Sequence, residues 1–251
     1  LYSLIPPVAS FAGVVLTGRA QCRYGEEHTE VATSADVRAE ILAMIRRFVD
    51  REVIPVASDF EHRDAYPTAL VEQLRDMGLF GATIPEAYGG LGLDVTTYAM
   101  VVEELCRGWM SLSGVLNTHL LLAYLLRVHG TEAQKSHYLP AMAQGTHRGA
   151  LCLTEPHAGS DVQRIRTTAV RHGDHYLLNG SKMFITNART ATLYAIAAKT
   201  TPDAAPPYAG ISMFVAEKGP GVLVSRDIKK LGYKGVELSL IHISEPTRHR
   251  R

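Results

Sequence analysis

Gly149-Ala150-Leu151-Cys152-Leu153-Thr154-Glu155-Pro156-His157-Ala158-Gly159-Ser160-Asp161 is the stretch on which the fold turns. It opens as a short apolar run and closes in a loop of Pro, Gly, hydroxyl and carboxylate side chains, the composition of a strand running out into a turn. Downstream the same texture repeats. Residues 167–170, 176–178, 183–186, 193–198, 211–215 and 222–224 are short β-like runs divided by Gly, Pro, Asn and Asp, and no long helical period interrupts them. His172-Gly173-Asp174 is a turn signal, and the Pro/Ala-rich residues 201–207 read as a mobile loop between strands.

Upstream the periodicity is helical. Ser34 can cap a helix in which Val37, Ile41, Met44, Ile45, Phe48 and Val49 recur at steps of three and four, with Pro55 beyond its end. A second helical segment follows Tyr66-Pro67, with Leu70, Leu74 and Met77 on one face and Gly78 as its stop. Residues 84–92 hold three glycines and a proline and cannot form a regular element. Further helices are expected over 95–107, 112–129 and 132–142. The expected fold class is α+β: an all-helical domain over 34–148, then a mostly β, barrel-like domain over 149–237. Residues 1–33 lack sustained periodicity and are expected to be a disordered or non-native leader. The chain does not begin with Met and its first Met is Met44, which favours a fragment or a processed form.

Composition narrows the function classes. Of 251 residues 46% are apolar and 20% charged, the net charge is +1, and there is one Trp. That balance makes no case for nucleic acid or a strongly anionic membrane surface. No run is expected to span a membrane, the nearest candidate being residues 1–17, which Pro6-Pro7 interrupts. Cys22, Cys106 and Cys152 are few, odd in number and far apart, which fits a reducing compartment better than a disulfide framework. Cys106 and Cys152 sit in apolar patterns and are expected in the core. His119 and His129 lack partners at ligand spacing, so no metal site is expected.

Taken by composition alone, the loop from Thr154 to Asp161 is as much a structural turn as a ligand loop. Its motif content points further. Thr154-Glu155-Pro156-His157-Ala158-Gly159-Ser160-Asp161, then Leu178-Asn179-Gly180-Ser181-Lys182-Met183-Phe184-Ile185-Thr186-Asn187, resemble the two signatures of the acyl-CoA dehydrogenase family in order and separation. Pro85-Glu86-Ala87-Tyr88-Gly89-Gly90-Leu91-Gly92 and Lys230-Leu231-Gly232-Tyr233-Lys234-Gly235 are similar to two further family elements. Four ordered motifs are far more specific than one.

The resemblance implies a helical domain, a β domain and a C-terminal four-helix bundle that this stretch of chain does not include. It implies FAD as cofactor, an acyl-CoA thioester as substrate, an electron-transfer flavoprotein as acceptor and a homo-oligomer, tetramer or dimer. It implies fatty acid β-oxidation in a bacterial cytoplasm or, in a eukaryote, the mitochondrial matrix. Leu151, Cys152, Leu153 and Thr154 match the flavin-contacting strand, and Glu155, Pro156, His157, Ala158, Gly159 and Ser160 match the rest of its loop, with Ser160 also touching the CoA ester. Phe184, Ile185 and Thr186 match the second flavin segment. There Phe184 covers one ring face where many relatives carry Trp, and Thr186 bonds near N5. His157 departs from the Gly common at its position. Glu155 is read as ordering the turn and not as the base, since the family's catalytic Glu belongs to the bundle. No catalytic residue is therefore expected within these 251 residues. Val115, Leu116 and His119 fall where the helical domain can line an acyl tunnel, with core packing the default.

The run from Leu238 through Arg248, and on to Arg251, resembles a sequencing adapter translated in frame. The family likeness is expected to stop at Glu237, with 238–251 a non-native tail. A flavin-dependent acyl-CoA oxidase or monooxygenase on the same scaffold, and a non-catalytic CoA- or partner-binding module, are the alternative readings.

Overall fold

The computed structural model describes residues 14–16 and 32–243, which divide into a helical unit and a β unit.

The helical unit begins where Ser34 predicts. Its hydroxyl accepts from the Val37 amide at 3.3 Å and caps α1 (Ala35–Phe48), which buries Ile45 and Phe48. Pro55 lies beyond the end of α1, as the sequence suggests, yet the chain stays helical through it. A π-helical segment, Val49–Val53, carries the backbone into α2 (Ile54–Arg63). Pro55 thus falls in a first turn, where its missing N–H breaks no bond. α3 (Thr68–Asp76) buries Leu70, Val71 and Leu74, and Gly78 follows in the left-handed region at φ 75°. α4 (Val95–His129) is capped by Asp94, whose Oδ1 accepts from the Thr97 amide at 2.9 Å. The two helices expected here are its two halves, separated at Trp109, where the backbone turns extended (φ −163°, ψ 110°). α5 (Glu132–Ala143) starts on a reciprocal capping box between Thr131 and Gln134.

By length and composition α4 could cross a membrane, contrary to the reading of the sequence, but 67% of its most apolar stretch is buried inside the unit. It is apolar because it is the core helix: Val101, Leu105, Leu112, Val115 and Leu116 pack there with Ile45, Leu74 and Phe80. Val115 and Leu116 are thus core residues. Cys106, expected in that core, lies on the exposed side of α4, where its thiol sits 3.4 Å from Ser113 Oγ.

His119 is fully buried, with Nε2 3.1 Å from the Phe80 carbonyl oxygen and its ring edge-on to Phe80. Burial pulls its pKa from 6.5 down to about 4. Folding depresses this pKa, so the stabilisation is complete above pH 6.5 and is lost as the pH falls towards 4. The loss is up to about 3 kcal/mol. Urea midpoints measured from pH 7 to pH 4 should fall more steeply for the natural chain than for His119→Gln. Parallel curves would reject this origin.

The β unit is a curled mixed sheet of eight strands: β1 (Val14–Leu16), β2 (Gly149–Cys152), β3 (Thr168–His172), β4 (His175–Thr186), β5 (Leu193–Lys199), β6 (Ile211–Glu217), β7 (Val222–Asp227) and β8 (Leu238–Ile243). Neighbours run β1-β6-β5-β3-β4-β8-β7, with β2 parallel to β5. The turn at Gly173 joins β3 and β4 as an antiparallel pair. The runs 176–178 and 183–186 are one strand, because the polar residues between them still pair: Asn179 opposes Thr168 and Gly180 opposes Ile243. Cys152, Ile185, Tyr194, Ile196, Phe214 and Ile241 form the core of this unit.

Two boundaries differ from the sequence-based expectation. Residues 238–243 form β8, hydrogen-bonded to both β4 and β7. Their alternation explains why: Ser239, Ile241 and Ile243 are buried, with Leu238, Leu240 and His242 between them. Residues 229–237 belong to the helical unit and not to the β unit. Val236 is 2% exposed within the helical core. Glu61 accepts the Lys234 amide at 3.1 Å and the Trp109 indole N–H at 2.8 Å; Asp64 accepts the Gly235 amide at 2.9 Å. Ser111 donates to the Lys234 carbonyl at 2.7 Å. Of the expected leader, Val14–Leu16 form a strand antiparallel to β6. Cys22 and most other residues of the leader lie outside the described residues, as do residues 244–251.

Candidate functional site

The stretch that leaves β2 and the C-terminal half of β4 converge. The Met183 amide donates to the Thr154 carbonyl at 2.8 Å, and the Lys182 ammonium donates to the Leu153 carbonyl at 3.1 Å. Leu151 and Cys152 are ladder residues opposite Ala195 and Ile196, with Cys152 fully buried. Burial pushes the Cys152 thiol up to about 12, so it is neither nucleophile nor ligand at neutral pH.

Beyond Thr154 the chain reverses tightly. Glu155 and Ala158 exchange backbone hydrogen bonds at 2.8 and 3.1 Å around Pro156-His157. Pro156, His157, Gly159 and Ser160 are exposed, whereas Ala158 is 4% exposed.

Glu155 is the buried centre of this loop, with its side chain 2% exposed. Its Oε1 accepts from Lys182 Nζ at 2.8 Å, the Thr167 amide at 2.9 Å and the Thr167 hydroxyl at 2.5 Å; Oε2 accepts from the Arg166 amide at 2.6 Å. His157 Nε2 is 3.3 Å from Oε2. Burial opposes ionisation, but the Lys182 ammonium, the Thr167 donors and the Arg166 amide outweigh it and hold the carboxyl at about 2. Burial likewise pulls the Lys182 ammonium down, against the raising effect of the Glu155 carboxylate. A carboxylate held by four fixed donors orders a turn and does not take protons from a substrate.

On β4 the decisive feature is a bulge. Lys182 and Ile185 stand three positions apart, yet both are buried, which a regular strand with a single buried face does not do. The register against β8 shifts between them, and Phe184 sits there at φ 61° with its ring 50% exposed. A left-handed non-glycine residue costs roughly 1–2 kcal/mol, and the bulge re-aims an aromatic side chain out of the sheet. Ile185 is buried core; Thr186, opposite Leu238, is partly exposed. Among the described residues, none hydrogen-bonds the side-chain hydroxyls of Thr154, Ser160 or Thr186.

Lys182 and Thr167 are the residues that sequence reasoning missed. A lysine at an inward position of a strand, downstream of a glutamate with no other partner in sequence, is the signal that could have found them. Among the described residues no three His, Cys, Asp or Glu side chains gather as a metal site.

A helical unit followed by a mixed sheet with this loop and bulge defines a two-domain scaffold, and the chain's similarities identify it. Residues 36–146 match the acyl-CoA dehydrogenase N-terminal domain and residues 150–245 the acyl-CoA dehydrogenase middle domain. The middle-domain match thus runs past Glu237. The chain belongs to the acyl-CoA dehydrogenase family.

It is 41% identical over 194 residues to an acyl-CoA dehydrogenase of Bacillus subtilis, covering 76% of this chain and 51% of that protein. The butyryl-CoA dehydrogenase structure from Megasphaera elsdenii superposes with a TM-score of 0.79 at 32% identity, over 85% of this chain and 57% of that one. A glutaryl-CoA dehydrogenase of Mycobacterium smegmatis in complex with FADH2 gives 0.75 at 28% identity, over 84% and 53%. The chain spans about half the length of the curated relatives it matches.

Proposed function

We propose that the chain is the helical and β portion of an FAD-dependent acyl-CoA dehydrogenase that oxidises an acyl-CoA thioester to the trans-2-enoyl-CoA. The observation that carries this reading is the convergence of Thr154 and Met183 beside the half-exposed ring of Phe184. The residues suit the group: an aromatic face for a flat ring, and three hydroxyls without partners among the described residues, for polar edges that gain negative charge on reduction. When bound, the flavin supplies the hydride acceptor for the substrate's Cβ as a base takes the Cα proton. Phe184 would cover a face of the ring system. Thr154, with the backbone of Leu151, Cys152 and Leu153, and Thr186 would hydrogen-bond its polar edges. The turn from Pro156 to Ser160 would border the cofactor, with Ser160 also reaching the CoA ester. Glu155 contributes by holding the loop, not by taking a proton.

In this reading Glu155, held by fixed donors, is not the base. In the same reading the intact enzyme is a homo-oligomer of the cytoplasm or mitochondrial matrix and passes its electrons to an electron-transfer flavoprotein.

Titration of FAD into the purified chain should quench flavin fluorescence, while gel filtration should strip the flavin. Phe184→Ala should weaken the titrated binding about tenfold, the loss of one stacking contact of ~1.4 kcal/mol. Absence of quenching at any FAD concentration would sink the flavin reading, and stoichiometric flavin after gel filtration would sink the expectation of weak retention.

A further inference from the structure

We infer that the buried Glu155–Lys182 pair is a positioning latch that sets the spacing between the two cofactor-facing segments, the loop after β2 and the Phe184 bulge. The inference rests on the flavin reading above for what those segments face, but the latch itself stands on geometry.

Lys182 is 0% exposed and Glu155 4%. An ion pair this deep is a poor way to gain stability, since apolar side chains of equal volume usually do as well. What an ammonium adds is direction. Its donors reach two different groups of one loop, the Leu153 carbonyl at 3.1 Å and Glu155 Oε1 at 2.8 Å. Those groups flank Thr154, whose own carbonyl is held by the next residue of β4, Met183, at 2.8 Å. Three consecutive loop residues are thereby pinned to two consecutive strand residues, immediately before Phe184 leaves the ordinary β conformation. On its other side Glu155 is anchored by Arg166 and Thr167, so the latch does not slide with the loop. Bonds that lock the groups behind a binding surface prevent such sliding. Glu155 and Lys182 are positioning residues and touch neither substrate nor cofactor.

The test uses the full chain with Lys182→Met and with the neutral double variant Glu155→Gln/Lys182→Met, and FAD as the probe. Two readouts are taken: amide hydrogen exchange at Met183, and FAD affinity by fluorescence quenching. In the double variant, no charge is left unpaired, so melting should stay near that of the natural chain. The Met183 amide should nevertheless exchange at least tenfold faster, while amides of the β5–β6 ladder keep their protection, and FAD should bind about tenfold more weakly. A double variant with unchanged Met183 protection and unchanged FAD affinity overturns the latch and leaves a purely structural pair. If Lys182→Met does not fold, Glu155→Gln, which keeps an amide in the carboxylate's place, is read by the same two measurements. A natural chain that never quenches FAD removes the flavin reading alone. Met183 exchange then decides the latch, and protection unchanged by the double variant rejects it.

Discussion

Replacing Gly235 with alanine should destabilise the helical unit by about 3 kcal/mol and change the fluorescence of Trp109, the chain's only tryptophan. Two costs combine. Gly235 stands at φ 76°, where a side chain costs roughly 1–2 kcal/mol. A Cβ there would also lie 2.5 Å from the Trp109 ring and 2.9 Å from the Ala65 carbonyl oxygen. Overpacking of that kind costs a further ~1–3 kcal/mol. The indole can yield only by giving up its bond to Glu61, and Glu61 also receives the Lys234 amide. The prediction is therefore a melting temperature lower by about 10 °C, with red-shifted, more quenchable emission. Gly114→Ala is a companion from the other side, because a methyl group there would run into the Tyr233 hydroxyl. If Gly235→Ala leaves both melting and emission unchanged, residues 229–237 do not pack into the helical unit as described.

Gly180→Ala should be nearly as damaging, by about 3 kcal/mol, and its effect should reach the candidate site. A Cβ at 180 would fall 2.7 Å from the Thr167 Cβ and 2.8 Å from its Cα, and would also collide with its hydroxyl. Thr167 is 1% exposed, β-branched and held by two bonds to Glu155, so it cannot rotate clear without unsatisfying a buried carboxylate. Loss of one buried charge-assisted hydrogen bond costs about 1.5–3 kcal/mol, with overpacking in addition. The expected result is a lower urea midpoint together with faster exchange of the Arg166 and Thr167 amides. Gly180→Ala with native exchange at those two amides would show that the strand absorbs the methyl without moving Thr167.

Much of the architecture was legible in the chain. Helical periodicity around Ile45, Leu74 and Leu116 and the short runs after Gly149 correctly divided helix from sheet, because each pattern reports the face that its own element must bury. Ser34 and Gly78 acted at the helix ends as their local chemistry dictates. The misreadings share one cause. The sequence placed Pro55 beyond the first helix but not in the first turn of a second one, which the π-helical segment before it supplies. Cys106 looked like core because α4 is apolar on most sides, and which side faces outward depends on its neighbours. Residues 229–237 sit between two strands in sequence but bury Val236 among helices.

Sequence by itself determined the helical-then-β order, the family and the loop and strand that carry the candidate site, since motifs and periodicities are properties of consecutive residues. Tertiary structure decided how those site residues are held: Glu155 finding Lys182, Thr154 bonding to Met183, and Phe184 turning outward at a bulge. These are contacts between residues 27 or more apart in the two hydrogen-bonded cases, made only when strands align in one register. No local pattern encodes that register, because it is the joint optimum of every buried face at once.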